Sequence, residues 1–370
     1  MEAKRISNFL FELTCDDYEQ YRPVMDAYLR TAISNVGCSC VQNGYIRGRN
    51  NDWYLEDPPV CVVHVPANDK GRHGSVGVSA ANMLTPEILS TAGMPDELGH
   101  IFPYLTADGI NDEGLCININ VVNYGELGKP VPRDPEKMVS PTLVPRLVLD
   151  SCGTIEEAVA LIGSLDLGTV GTFCEAHYMI SGKQSAADDT FNTVVVELIP
   201  DENMHYGLNV IDYNKGEFVD NKPVMTNFHL TGFDGTLASA TKRPMGYERW
   251  QLLHRHFAQG NSPRGMLDLM RKVYYTNAYD LTSDNFWYSD LCFNDLTKDD
   301  FGPANLQGDA KNGGKFAERI EHVMEMYAEN KPNKALWQTV YTTVYDCKNK
   351  QLYVTPLEAR MSFRFGLEAE

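Results

Sequence analysis

No apolar run in this chain approaches the ~20 residues that a membrane-spanning helix needs, so no membrane span is expected. Positive charge is scarce. Lys and Arg number 32 against 50 Asp and Glu, a net charge of −18, which excludes nucleic acid and anionic membrane as main partners. A regular disulfide framework is missing too: the nine cysteines are odd in number and follow no repeating spacing, which suits a reducing compartment. There is no internal repeat and no low-complexity segment. The N-terminus, Met1 to Leu13, lacks an apolar h-region and a small-residue cleavage site. A cytoplasmic protein is therefore expected, with an already trimmed secretory signal as the alternative.

What is present supports a substantial core. Of the 370 residues 43% are hydrophobic, enough for one large domain or two ordinary ones. Residues 1–37 read as separate from the rest, with a helix from Asp16 to Arg30 that has acids at its start and a base at its end. From Cys38 the pattern turns to strands, at 38–43, 45–50 and Val60–Val65. Asp108 to Gly114 reads as a turn feeding a strand from Leu115 to Val122. Thr154-Ile155-Glu156-Glu157 is a capping box ahead of a helix to Leu165. Strands follow around 177–181 and 193–198, then helices at 245–257 and after Ser262-Pro263. Residues 281–314 read as a long polar loop, whose Phe286, Trp287 and Tyr288 either line a substrate mouth or pack beneath the loop. A helix at about 315–328 and a closing hairpin, 336–346 with 351–355, complete the chain. Strands and helices come in blocks, so the class is α+β with antiparallel sheets.

The segment from Gly37 to Trp53 says most about chemistry. Asn43-Gly44 is a strong two-residue hairpin turn. Centring the hairpin there pairs Cys38 with Arg49, and Cys40 with Arg47. Directly opposed residues lie about 4.5–5.5 Å apart at Cβ. A guanidinium at that range favours thiolate, the nucleophilic form. Taken alone, Cys38 would read as a small buried hydrophobe. Cys38 and Cys40 are read as facing opposite sides of the strand, and no second cysteine pair or histidine cluster lies near, so no metal site is expected. No cofactor is expected either.

Gly48-Arg49-Asn50-Asn51-Asp52-Trp53, following a cysteine hairpin, resembles the "GRNxDW"-type segment of the N-terminal-nucleophile amide hydrolases with a cysteine nucleophile. That group includes choloylglycine hydrolases, penicillin V acylases, acid-ceramidase-like enzymes and penicillin acyltransferases. Further segments match in chain order. Gly109-Ile110-Asn111-Asp112-Glu113-Gly114-Leu115 resembles "GMNEKGL", Val224-Met225-Thr226-Asn227-Phe228 resembles "VLTNNP" without its proline, and Tyr247-Glu248-Arg249-Trp250 resembles the "SxxRF" helix start. The closing hairpin is similar as well, so the resemblance spans about 38–356.

The resemblance implies a four-layer αββα sandwich. It implies that residues 1–37 are a prosegment removed by self-cleavage before Cys38, leaving 38–370 as the catalytic domain. The freed Cys38 α-amine then serves as general base, since an α-amine pKa of about 7.7–8.0 suits neutral pH. Arg49 flanks the thiol, Asp52 contacts the α-amine, Asn227 donates to the oxyanion, and Arg249 lies in the site. The strand after the Asp108–Gly114 turn supplies another oxyanion residue, Asn118 or Asn120, with Asn120 preferred. The implied reaction is hydrolysis of a linear, non-peptide C–N amide, and the long prosegment and short hairpin favour a small-molecule amide with an apolar acyl chain. Acyl transfer to an amine and a catalytically silent acyl-ligand binder are the alternatives, and a homo-oligomer is compatible.

Overall fold

The computed structural model describes residues 2–7, 10–23, 25, 37–53, 60–79, 98–122, 131–168, 176–236, 239, 246–274, 338–356 and 361–367. In chain order the strands are β1 Glu2–Arg5, β2 Leu10–Thr14, β3 Gly37–Asn43, β4 Ile46–Trp53, β5 Val60–Val65, β6 Ser75–Ser79, β7 Thr106–Asn111 and β8 Cys116–Val121. They continue as β9 Ala176–Ser185, β10 Asp188–Pro200, β11 Tyr206–Asp212, β12 Val224–Met225, β13 Gln338–Asp346, β14 Gln351–Pro356 and β15 Phe363–Phe365. The α-helices are α1 Val144–Ser151, α2 Ile155–Ser164, α3 Tyr247–Arg255 and α4 Pro263–Arg271.

Two sheets form. One has nine strands in the order β1-β2-β5-β6-β7-β8-β9-β10-β11; the other has six, β12-β3-β4-β13-β14-β15. All pairings are antiparallel except β2 with β5. Helices α1 and α2 cover β7–β10 on the outside of the large sheet, and α3 and α4 cover β3, β4, β12 and β13 on the outside of the small one. Between the sheets, Val62, Val76 and Ile110 of one meet Tyr345, Leu352 and Val354 of the other. The layer order is therefore αββα, the architecture expected. A sheet covered on both faces needs strands apolar throughout, and Val-Cys-Val-Val-His-Val of β5 is buried at every position.

Local signals place the helices. Thr154 Oγ1 accepts from the Glu157 N–H at 3.2 Å while Glu157 Oε2 accepts from the Thr154 N–H at 3.1 Å, closing the expected capping box. Ser262 caps α4 and Pro263 occupies its first turn. The turn expected at Asp108–Gly114 is tighter than the sequence suggested. Residues up to Asn111 belong to β7, and the Asn111 side chain accepts from the N–H groups of Glu113 and Leu115. Gly114, at φ +80°, completes the reversal, a backbone state that glycine adopts without strain.

Residues ahead of Cys38 contribute to the large sheet. β2 runs parallel to β5 from Leu10↔Val60 to Thr14↔His64, and Leu10, Leu13, Cys15, Tyr18 and Met25 are buried. Of the helix expected over 16–30, a 3₁₀ turn at Glu19–Tyr21 followed by helical residues 22, 23 and 25 is present, and the part beyond residue 25 lies outside the described residues. The polar loop at 281–314, with Phe286, Trp287 and Tyr288, and the helix at 315–328 also lie outside them. Among the described residues no helix is long and apolar enough to cross a membrane.

Candidate active site around Cys38

The β3–β4 hairpin differs in register from the one expected. Asn43 pairs with Ile46, so Gly44 and Tyr45 form the turn, with Gly44 at φ +55°. Glycine at the first central position with positive φ fits one of the two favoured hairpin turns. The shift is two residues. Cys38 therefore opposes Asn51, and Arg49 opposes Cys40. An even shift keeps every side chain on its own face, so Arg49 stays diagonal to Cys38, and a long side chain spans that gap. Its Nη2 lies 3.3 Å from Cys38 Sγ. The two thiols also share a face, because residues two apart on a strand do. The expectation of opposite faces is corrected. Cys40 Sγ donates to Asn118 Oδ1 at 3.1 Å, within the space between the sheets.

Three atoms of Cys38 are contacted by named polar side chains. Sγ faces Arg49. The backbone N–H donates to Asn227 Oδ1 at 3.0 Å, and the carbonyl oxygen accepts from Arg249 Nη1 at 2.6 Å. Arg249 Nη1 also reaches Asp52 Oδ2 at 3.1 Å, and its Nη2 donates to Asn227 Oδ1 at 2.6 Å. Two obligatory donors converge on that Asn227 oxygen, which fixes the orientation of its amide. Its Nδ2 then donates to the Val121 carbonyl at 2.7 Å. Asp52, opposite Gly37, lies on the other face of the hairpin from the thiol, where it also accepts from Thr339 Oγ1 at 2.7 Å. Cys38, Arg49, Asp52, Asn227 and Arg249 are thus brought together, all buried.

Asn120 is near but engaged elsewhere. Its Nδ2 donates to the carbonyls of Thr226 at 3.2 Å and Met225 at 3.4 Å, the segment leading into Asn227. Asn118 turns toward Cys40 and Arg47.

Burial pushes the Cys38 thiol pKa up; the Arg49 charge pulls it back without reversing the shift. The expected net preference for thiolate is therefore not met in this uncut chain, where Cys38 is 0% exposed. Cys40, equally buried, is pushed up to about 12.

Two groups of residues in this site were not singled out from the sequence. Asp108 on β7 pairs with Arg49, Oδ2 to Nη1 at 2.6 Å, both fully buried, and it also accepts from the hydroxyls of Tyr341 and Tyr345. The hint was an acid within a strand, masked by reading that strand as a turn. Asn51 is the other. Its Oδ1 accepts from Arg49 Nη2 at 3.2 Å and lies 3.8 Å from Cys38 Sγ, yet its buried Nδ2 finds no partner among the described residues. A buried donor left unpaired costs about 1–3 kcal/mol, so this amide is available to a carbonyl oxygen placed beside the sulfur. The correct hairpin register would have exposed it.

One group of described residues brings metal-type ligand atoms within 4.8 Å of one another: His73, just ahead of β6, with Asp112 and Glu113 of the β7–β8 turn. Lys350 Nζ donates to the Asp112 carbonyl there. None of these is among the residues around Cys38.

No protein-family profile matches the chain, and no curated protein matches it. Solved structures similar to it include a penicillin V acylase from Agrobacterium tumefaciens, at 15% identity and a TM-score of 0.45, covering 90% of this chain and 86% of that one. A mutant of the conjugated bile acid hydrolase from Clostridium perfringens is similar at 12% identity and a TM-score of 0.46, covering 90% and 92%. A second variant of that hydrolase is similar at 16% identity and 0.44, with the same coverage.

Proposed function

We propose that this protein is a hydrolase of linear, non-peptide amides that uses Cys38 as nucleophile after cutting its own chain between Gly37 and Cys38. The observation that carries the reading is the set of contacts on Cys38 itself. A guanidinium at the sulfur suits a nucleophile. An ordinary strand cysteine has its N–H paired with a ladder carbonyl; here a side-chain oxygen held by Arg249 takes that place, an acceptor that suits a nitrogen due to become an oriented amine.

In the first step Cys38 Sγ attacks the Gly37 carbonyl carbon. The S–C bond forms as the C–N bond breaks, and the nitrogen takes up the thiol proton. Water then hydrolyses the thioester, giving the Gly37 carboxylate and a free thiol. Residues 1–37 would stay bound, since β2 pairs with β5 along its length and Leu10, Leu13, Cys15 and Tyr18 are buried. In each later turnover the thiol attacks the substrate carbonyl, the α-amine takes its proton and passes it to the leaving amine, and water releases the acyl group. Arg49 favours the thiolate, Asn227 and Asp52 orient the amine, and Arg249 ties them together. Asn51 Nδ2 donates to the oxyanion together with the second Nδ2 hydrogen of Asn227, the one not given to the Val121 carbonyl, and Asn120 supports the Asn227 segment. The substrate class, an N-acyl amide with an apolar acyl chain, rests on the resemblance of the hairpin and prosegment.

The test is an acid quench of cut protein during turnover of penicillin V, glycocholate and an N-acyl glycine. An acyl mass on the Cys38 peptide is expected with one of them. Acyl mass on another residue, or none with any amide, overturns the reading.

A further inference from the structure

Glu197 is fully buried in β10 and has no part in the chemistry above. A buried carboxylate costs several kcal/mol unless it is well hydrogen-bonded. This one is. It accepts from the N–H groups of Leu230 at 2.6 Å and Thr231 at 2.9 Å, from the Thr231 hydroxyl, and from His177 Nδ1 at 3.4 Å. His229 Nδ1 lies 3.6 Å away. Burial alone would push its pKa up, but the hydrogen bonds and charge of the two histidines hold it well below the usual carboxylate range.

Its position in the sheet gives the arrangement a direction. Asn120 pairs with His177, His177 with Glu197, and Glu197 with Asn209, so four side chains form one row across β8, β9, β10 and β11. Each of the four touches the stretch 225–231. Asn120 Nδ2 and His177 Nε2 both donate to the Thr226 carbonyl, the latter at 2.9 Å. Glu197 holds Leu230 and Thr231, and Asn209 Nδ2 donates to Thr231 Oγ1 at 2.7 Å. Both ring nitrogens of His177 face acceptors, Nδ1 the Glu197 carboxylate and Nε2 the Thr226 carbonyl.

The stretch needs such support. β12 ends at Met225, where its ladder with β3 stops. Continuing that register would place Asn227 opposite Cys38. Instead the Asn227 side chain supplies the acceptor for the Cys38 N–H, and the row grips the backbone on either side of it.

We propose that Glu197 and His177 are positioning residues for the cysteine site: they hold the 226–231 segment on both sides of Asn227 and so keep Asn227 Oδ1 on the Cys38 nitrogen. The consequence for catalysis rests on the function proposed above; the grip itself does not.

The test has two readouts. Amide hydrogen exchange is followed in the full-length Cys38→Ala background, which is expected to remain uncut and to keep the amide at position 38. Adding Glu197→Gln should speed exchange at that amide and across 224–231 by roughly tenfold or more, with Val60–Val65 unchanged. In the otherwise wild-type chain, Glu197→Gln should lower kcat roughly 10²-fold, the scale of a ~1 Å misplacement, with KM nearly constant. His177→Gln keeps a donor for the Thr226 carbonyl and should lose less than His177→Leu. Should Glu197→Gln fail to fold, Thr231→Val and His177→Gln read the same amide. Unchanged protection at position 38 in the folded variants overturns the grip, even if kcat falls. Lost protection in a protein that turns over no amide upholds the grip and counts against the function reading instead.

Discussion

Replacing Arg49 by Met should unfold a large part of the protein's stability margin, and replacing Asp108 as well should give much of it back. The pair is 2.6 Å apart with both side chains fully buried. At an effective dielectric of about 20, unit charges at that separation attract by roughly 6 kcal/mol. Desolvation of both ions offsets most of this, so the pair is close to neutral against apolar residues of similar size. Removing one partner is different: it strands a buried charge, at about 3–5 kcal/mol. A domain's total stability is about 5–15 kcal/mol, so Arg49→Met and Asp108→Leu should each shift the urea midpoint strongly. The double variant should cost less than either alone, a coupling well above the ~0.5 kcal/mol scatter of independent sites. Urea unfolding of the four proteins in the Cys38→Ala background keeps processing out of the comparison. Additive losses would show that Asp108 does not hold Arg49, and that Arg49 is placed beside the sulfur by other contacts.

Other consequences follow from the same geometry. Asn227→Ala should lower kcat by about 10²–10³ on any amide turned over, with a smaller change in KM; a change in KM alone would remove Asn227 from the transition state. Cys40→Ala should still process, because Cys40 Sγ faces Asn118 rather than Cys38. Its folded pKa lies above its unfolded value, so the protonated thiol stabilises the fold below pH 9 and that contribution is lost between pH 9 and about 12. Alkaline unfolding of Cys40→Ala should accordingly be shallower than that of the parent, and an identical pH profile would count against the buried, protonated thiol.

The αββα layering was visible in the blocks of strands and helices and in the resemblance, and the capping box at Thr154 placed α2 to within a residue. The hairpin register was not. Two adjacent dipeptides, Asn43-Gly44 and Gly44-Tyr45, both make acceptable two-residue turns, and the protein takes the second. Because the slip was even, Arg49 still reached Cys38, and a wrong register returned the right neighbour. Asn227 and Arg249 were legible only as parts of ordered segments. The partners of Arg49 were not, since Asp108 meets it from the other sheet and Tyr341 from the neighbouring strand β13, both far away in sequence. The Asn120–His177–Glu197–Asn209 row needs the register of four strands before it exists. Asn120 sat in the expected place, yet its amide supports the Asn227 segment and does not point at the thiol.

The central claim is that Cys38 becomes an N-terminal residue, and intact mass of the purified protein tests it most directly. Denaturing conditions should resolve two chains whose junction is Gly37–Cys38, while native conditions should keep them together through β1 and β2. Cys38→Ala should stay at full length and inactive. Amide turnover by protein verified as a single uncut chain would contradict the account.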